Sequence, residues 1–158
     1  MKAFTSLTLA LAAEASYRKV IATSEAPGAI GPYSQGIAVE DRFGNGMIYA
    51  AGQIGIVPAT GKLIEGGITP EATQVMANIK AILNAGNANM DNIVECTVLM
   101  LDFDDYDAFN AVYGKSFNDL TAPARAAFQV VKLPLGARVE VKCSAVTSWS
   151  PEAHLILQ

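Results

Sequence analysis

Thr69-Pro70-Glu71-Ala72-Thr73-Gln74-Val75-Met76-Ala77-Asn78-Ile79-Lys80-Ala81-Ile82-Leu83-Asn84-Ala85-Gly86 is the stretch on which the fold turns. Thr69 has the residue type of an N-cap, Pro70 fits the first helical position, and the charge of Glu71 suits the positive end of a helix dipole. Ala72, Val75, Met76, Ile79, Ile82 and Leu83 recur at spacings of three and four, which puts them on one face, and Gly86 supplies a stop. The pattern predicts an amphipathic helix lying on a sheet. Beyond it the period changes: from Ile93 to Leu101 apolar residues alternate with Glu95 and Thr97, as in a half-buried strand.

Working outward toward the N-terminus, Ala29-Ile30-Gly31-Pro32 reads as a loop entry to an extended segment, Tyr33 to Asp41. Arg42-Phe43-Gly44-Asn45-Gly46 carries the Asn-Gly signal of a hairpin, with Met47 to Ala51 as the returning strand. The meander is expected to continue through Gly52 to Val57 and close at Pro58-Ala59-Thr60-Gly61. Toward the C-terminus, Asp102, Asp104, Asp105 and Asp107 lack the central glycine and terminal glutamate of a calcium loop, so they are read as capping the next helix. That helix runs from about Tyr106 to Asn118 and buries Phe109, Val112, Tyr113 and Phe117. Arg125 to Val131 and Ala137 to Thr147 read as two last strands around the Leu133-Pro134-Leu135-Gly136 turn. Three strands, a helix, a strand, a helix and two strands suggest an α+β domain, with both helices on one face of one sheet. The other face then needs a cover, and a second subunit is the expected one.

A chain of 158 residues, 51% apolar and 16% charged, is long enough for one domain with a substantial core. Its net charge of −4 is spread along the sequence without a lysine or arginine block, so no nucleic-acid partner is expected. Cys96 and Cys143 lie in strand-like runs without a C-x-x-C pair or a nearby histidine, and are read as two buried free thiols. His154, the only histidine, is read as a surface residue of the tail. Metal cluster, catalytic triad, phosphate loop and dinucleotide fingerprint are all missing from the sequence pattern.

Residues 1–18 form a leader with two readings. Lys2, the apolar run Ala3 to Ala13 and the Ala13-Glu14-Ala15 triplet have the form of a secretory signal, but Thr5, Ser6 and Thr8 dilute the run, and a retained N-terminal helix or arm fits equally. The run is too short to span a bilayer, so no membrane partner is expected. A cytoplasmic location is the first expectation, and a secreted, periplasmic or organellar one follows if the leader is a targeting signal.

Arg125 stands at a strand start directly after Ala122-Pro123-Ala124, where rigid backbone would hold a guanidinium, and an arginine fork is a strong binder of carboxylates. A surface salt bridge is the competing reading. Arg138, Glu140 and Lys142 share one face of the last strand and Val139, Val141 and Cys143 the other. Such a charged face usually meets solvent, but at a subunit boundary Glu140 could orient a water as general base. Tyr33 sits in a glycine-rich loop that lets a ligand approach backbone N–H groups, although a tyrosine in a turn also packs there for structure alone.

From about Lys19 to Thr147 the chain resembles the Rid (reactive intermediate deaminase, YjgF-like) family. The resemblance rests on Ala29-Ile30-Gly31-Pro32-Tyr33-Ser34-Gln35-Gly36, Ala51-Gly52-Gln53-Ile54, Pro123-Ala124-Arg125-Ala126-Ala127 and Arg138-Val139-Glu140-Val141, in family order and spacing. It implies one domain over residues 19–149 with a tail at 150–158, and a chorismate-mutase-like mixed six-stranded sheet with two helices on one face. It further implies a homotrimer with active sites at subunit interfaces and hydrolysis of reactive 2-imino acids to 2-keto acids and ammonia, without cofactor or metal. By resemblance Arg125 holds the substrate carboxylate, helped by the backbone N–H of Ala127. Tyr33 and Glu140 border the reacting carbon, Glu140 placing water, and Gly31 and Asn110 line or support the pocket. Two departures stand out: Ala127 replaces a cysteine of some members, and Lys142 replaces a common acidic residue. Within the same resemblance the alternatives are an endoribonuclease that inhibits translation and a non-catalytic ligand-binding or chaperone-like trimer.

Overall fold

The computed structural model describes residues 17–118, 120 and 122–147. His154, the tail from residue 150 and the signal-like run of the leader lie outside them. Six strands form one mixed sheet: β1 (Tyr17–Ile21), β2 (Gly36–Glu40), β3 (Gly46–Ala50), β6 (Ile93–Met100), β7 (Ala124–Gln129) and β8 (Val139–Val146). Their order is β1-β2-β3-β8-β6-β7, antiparallel throughout except for the β6–β7 pair. Helices α1 (Ile68–Ala85) and α2 (Tyr106–Tyr113) pack together on one face, and a two-stranded ribbon, β4 (Ile56–Val57) and β5 (Lys62–Leu63), stands apart from the sheet.

The α1 face found in the sequence is the core. Ala72, Val75, Met76, Ile79, Ile82 and Leu83 are all buried, against Ile48 of β3, Val98 of β6, and Val139, Val141 and Ala145 of β8. Removing apolar area of this extent from water is the main force that holds helix to sheet. Phe109 and Tyr113 carry α2 into the same core.

Several boundaries differ from the sequence reading. Helix α1 begins earlier, at Ile68, with Gly67 rather than Thr69 as the flanking residue and Pro70 inside the first turn. Gly66 and Gly67 both have positive φ (109° and 86°), a backbone path that glycine takes without steric cost, so no side-chain cap directs the entry. The β2–β3 hairpin is not a two-residue Asn-Gly turn. Asp41 Oδ1 accepts from Phe43 N and Asn45 N, Gly44 takes the left-handed position at φ 82°, and Gly46 already belongs to β3.

Gly52 to Val57 does not extend the meander. Only Gln53 bridges to the main sheet, at Val141, and the chain then leaves for the β4–β5 ribbon. The sixth strand is instead β1, whose exposed pattern at Tyr17–Val20 carries no alternation to read; it draws Tyr17 and Arg18 out of the leader. Helix α2 ends at Tyr113 and continues only as a 3₁₀ turn over Gly114–Ser116. Asp102 caps a short 3₁₀ turn, Phe103–Asp105, ahead of α2.

The cysteines are buried but not free. Cys96 and Cys143 face each other across β6 and β8, with Cα atoms 4.2 Å apart, and are joined as a disulfide. Strand register, invisible to a spacing rule, made the pair.

Candidate active site

Glu140 points from β8 to the face of the sheet that the helices leave uncovered, since Val139, Val141 and Cys143 point to the buried side. It lines a cleft with Pro27–Ile30, Tyr33, Gln35, Gly52–Ile54 and Pro134. Its carboxylate rests on Gly52 so closely that any Cβ there would collide with it. Burial pushes the Glu140 carboxyl above its ordinary range, which suits a group that must take up and return a proton nearer neutrality.

Tyr33 sits at the mouth of this cleft, half exposed. Its hydroxyl accepts from the Ile30 N–H at 3.2 Å, and its ring covers Gly31, where a Cβ would meet the ring at 3.1 Å. Gly31 therefore supports Tyr33. Gln35 holds the cleft wall: its buried amide donates to the carbonyls of Thr23, Ala26 and Pro27 and accepts from Thr23 N–H. Sequence reasoning placed Gln35 within a motif but assigned it nothing, because its partners lie 8 to 12 residues upstream.

Arg125 lies elsewhere. It pairs with Cys96, itself opposite Cys143, so its side chain is on the helix face. There its Nη1 donates to Asn110 Oδ1 (2.8 Å) and its Nη2 to the Tyr106 hydroxyl (3.0 Å), while the guanidinium carbon stands 4.6 Å over the Tyr113 ring. The competing surface salt bridge is absent: among the described residues Arg125 pairs with no carboxylate, and it is Arg138 that bonds Asp105, at 2.7 Å. Arg125, Asn110 and Tyr113 line a pocket with Gly114, Phe117, Ala122 and Pro123. Tyr106 was missed because a tyrosine at a helix start reads as packing.

Ala127 is next along the same face of β7, the edge strand. Val130 N–H donates to Met100 O, so by strand alternation the N–H groups of Arg125, Ala127 and Gln129 point out from the free edge. The structure thus gathers the predicted site residues into two groups, two candidate half-sites. One holds Tyr33, Gly31 and Glu140, the other Arg125, Asn110 and Ala127, and within one chain they occupy opposite faces of the sheet.

Glu71, read only as a dipole partner, is a further buried carboxyl. Its Oε2 accepts from Arg138 N–H at 2.8 Å and pins the start of β8, and burial raises its pKa. Among the described residues no group of three or more His, Cys, Asp or Glu gathers to hold a metal ion, and no helix is long and apolar enough to cross a membrane.

Against known proteins, the family model described as Endoribonuclease L-PSP matches residues 23–147. The chain is 47% identical over 129 residues to a goat protein named 2-iminobutanoate/2-iminopropanoate deaminase, covering 82% of this chain and 90% of that one. It is 34% identical over 138 residues to Arabidopsis thaliana Reactive Intermediate Deaminase A, chloroplastic, covering 87% and 71%. The crystal structure of Escherichia coli TdcF with bound serine superposes with a TM-score of 0.73 at 35% identity, over 82% of this chain and 99% of that one. With the matching fold and motif order, these likenesses show that the chain belongs to the Rid family, whose other description is Endoribonuclease L-PSP.

Proposed function

We propose that this protein hydrolyses 2-imino acids such as 2-iminobutanoate and 2-iminopropanoate to 2-keto acids and ammonia. The observation that carries this reading is Arg125: a guanidinium held by two neutral acceptors and an aromatic ring, its charge uncompensated by any carboxylate among the described residues. Such a group recognises a carboxylate through paired hydrogen bonds. The goat relative at 47% identity is named for the same activity.

The two half-sites lie on opposite faces of one chain, so a small substrate meets both only between chains. In the homotrimer that the family resemblance implies, Arg125, Asn110 and the outward Ala127 N–H of one subunit face Tyr33 and Glu140 of another. The substrate carboxylate lies on Arg125, with the Ala127 N–H as a further donor. With the imine nitrogen protonated, Glu140 takes a proton from water as that water adds to the C=N carbon and returns it to the nitrogen. The C–N bond then breaks as the carbinolamine hydroxyl gives up its proton to solvent, leaving the 2-keto acid and ammonia. Imines hydrolyse readily unaided, so orientation and one proton shuttle supply the needed acceleration.

For location, the buried disulfide favours an oxidising compartment over the cytoplasm and sides with the targeting reading of the leader. A mature native chain starting at Ser16 would support export, and an intact N-terminus would refute it.

The activity test measures ammonia and 2-keto acid released from freshly generated 2-iminobutanoate by wild type and Arg125→Ala. Acceleration that disappears in the variant supports the reading. No acceleration over buffer refutes it in favour of a binding trimer, and cleavage of RNA by the same preparation would favour the ribonuclease named in the family description.

A further inference from the structure

The Arg125 cradle contains a directional contact, with the Tyr106 hydroxyl, that neither the motif spacing nor the resemblance supplied. A guanidinium above an aromatic ring is attracted to the ring face but free to rotate within its own plane, because that attraction has little in-plane direction. Asn110 pins one corner, Nη1. The Tyr106 hydroxyl pins the other, Nη2, and two points fix the orientation. Tyr106 is itself steadied by Phe103, whose ring stacks on it at 5.4 Å and 21°.

We propose that Tyr106 is a positioning residue that sets the angle at which Arg125 presents its remaining N–H groups to the substrate carboxylate. Arginine has five N–H donors. Two are spent on Asn110 and Tyr106, leaving Nε–H and one N–H on each terminal nitrogen for a ligand. Both protein acceptors are neutral, so the bonds direct the guanidinium without cancelling the charge that draws an anion. A carboxylate in place of Tyr106 would hold the arginine as firmly but occupy the same charge, and the nearby aspartates are not used for it: Asp105 goes to Arg138 and Asp102 caps its own turn. The inference rests on the carboxylate-anchor reading of Arg125.

The test is Tyr106→Phe, which keeps the ring and its stacking and removes only the hydroxyl, assayed beside wild type and Arg125→Ala. Three readouts are taken: kcat and KM on freshly generated 2-iminobutanoate, the Kd of stable 2-ketobutanoate by calorimetry, and the thermal midpoint. Expected are KM and Kd raised about five- to tenfold, because an unpinned guanidinium must be ordered as the carboxylate binds, with kcat within about twofold and the midpoint unmoved. Wild-type KM and Kd in Tyr106→Phe, with Arg125→Ala inactive, would overturn the positioning role and leave the deaminase reading intact. A lowered kcat at unchanged KM would overturn it too, by placing Tyr106 at the reacting atoms. Full activity in Arg125→Ala would remove the anchor itself and this inference with it.

Discussion

The hydroxyl of Tyr113 is buried with no hydrogen-bond partner among the described residues, and burial pushes its pKa up to about 12 in spite of the nearby Arg125 charge. Its ring is needed under the guanidinium, but its oxygen costs desolvation without return. Tyr113→Phe is therefore expected to stabilise the fold by about 1 kcal/mol, read from chemical denaturation, with hydrolysis retained. Gly52 gives the opposite case. The atom that a Cβ would strike is the tip of Glu140, a flexible side chain that can swing aside, so Gly52→Ala should fold with a thermal midpoint near that of wild type and lose at least about tenfold in kcat. Glu140 itself makes a prediction with a sign. Its carboxyl is raised in the folded state, so it favours folding below its unfolded pKa, and that contribution is lost as pH rises through the folded value. Glu140→Gln should then raise stability at neutral pH, with the gain vanishing below about pH 4, and should abolish hydrolysis. Equal stability of the two proteins across a pH series of melts would contradict this. At this scale Arg125 and Glu140 could be singled out as candidates from motif and resemblance, whereas Tyr106, Gln35 and Glu71 could not: each acts on a partner many residues away, and no local pattern records such a partner.

Helix α1 and strands β6 and β8 were readable because each buries one face, and burial writes its period into the sequence. Strand β1 was not, since its exposed residues leave no alternation, and Gly52–Val57 misled because a short apolar run fits a sheet strand and a small ribbon alike. The cysteines show the same limit. Each strand placed its cysteine in the core, but only the β6–β8 register set Cys96 opposite Cys143. The disulfide they form closes a sequence separation of 47, for which chain entropy gives roughly 4 kcal/mol. Thiol titration of the denatured protein should find no free thiol without reductant and two with it, and the Cys96→Ala/Cys143→Ala chain should melt lower. Two thiols titrating without reductant would count against the bond.

For the whole molecule the decisive feature is the sheet face that the two helices leave open, which among the described residues is only partly covered, by the Ile54, Ile56, Leu133 and Ala137 cluster. Val20, Val39, Tyr49 and Phe128 are exposed there, and Glu140 lies among them. Exposed apolar side chains grouped in this way fit the proposed subunit contact. Light scattering should give about three times the 16.6 kDa chain mass for wild type. Tyr49→Asp, at the middle of the face, should give the single-chain mass and lose hydrolysis, because it separates the two half-sites without touching either. A monomer with full activity would sink the shared-site reading.

By itself the sequence determined the class of fold, the helix that covers the sheet and the strand faces that enter the core. These follow from periodicity, which is local. Only the tertiary structure decided which strands became neighbours, that the two thiols are bonded, that Arg125 is cradled by Tyr106, Asn110 and Tyr113, and that Arg125 and Glu140 lie on opposite faces of the sheet. Those outcomes depend on register and on which groups meet across long stretches of chain, where the free energy of contact is settled by packing in three dimensions and leaves no spacing to read.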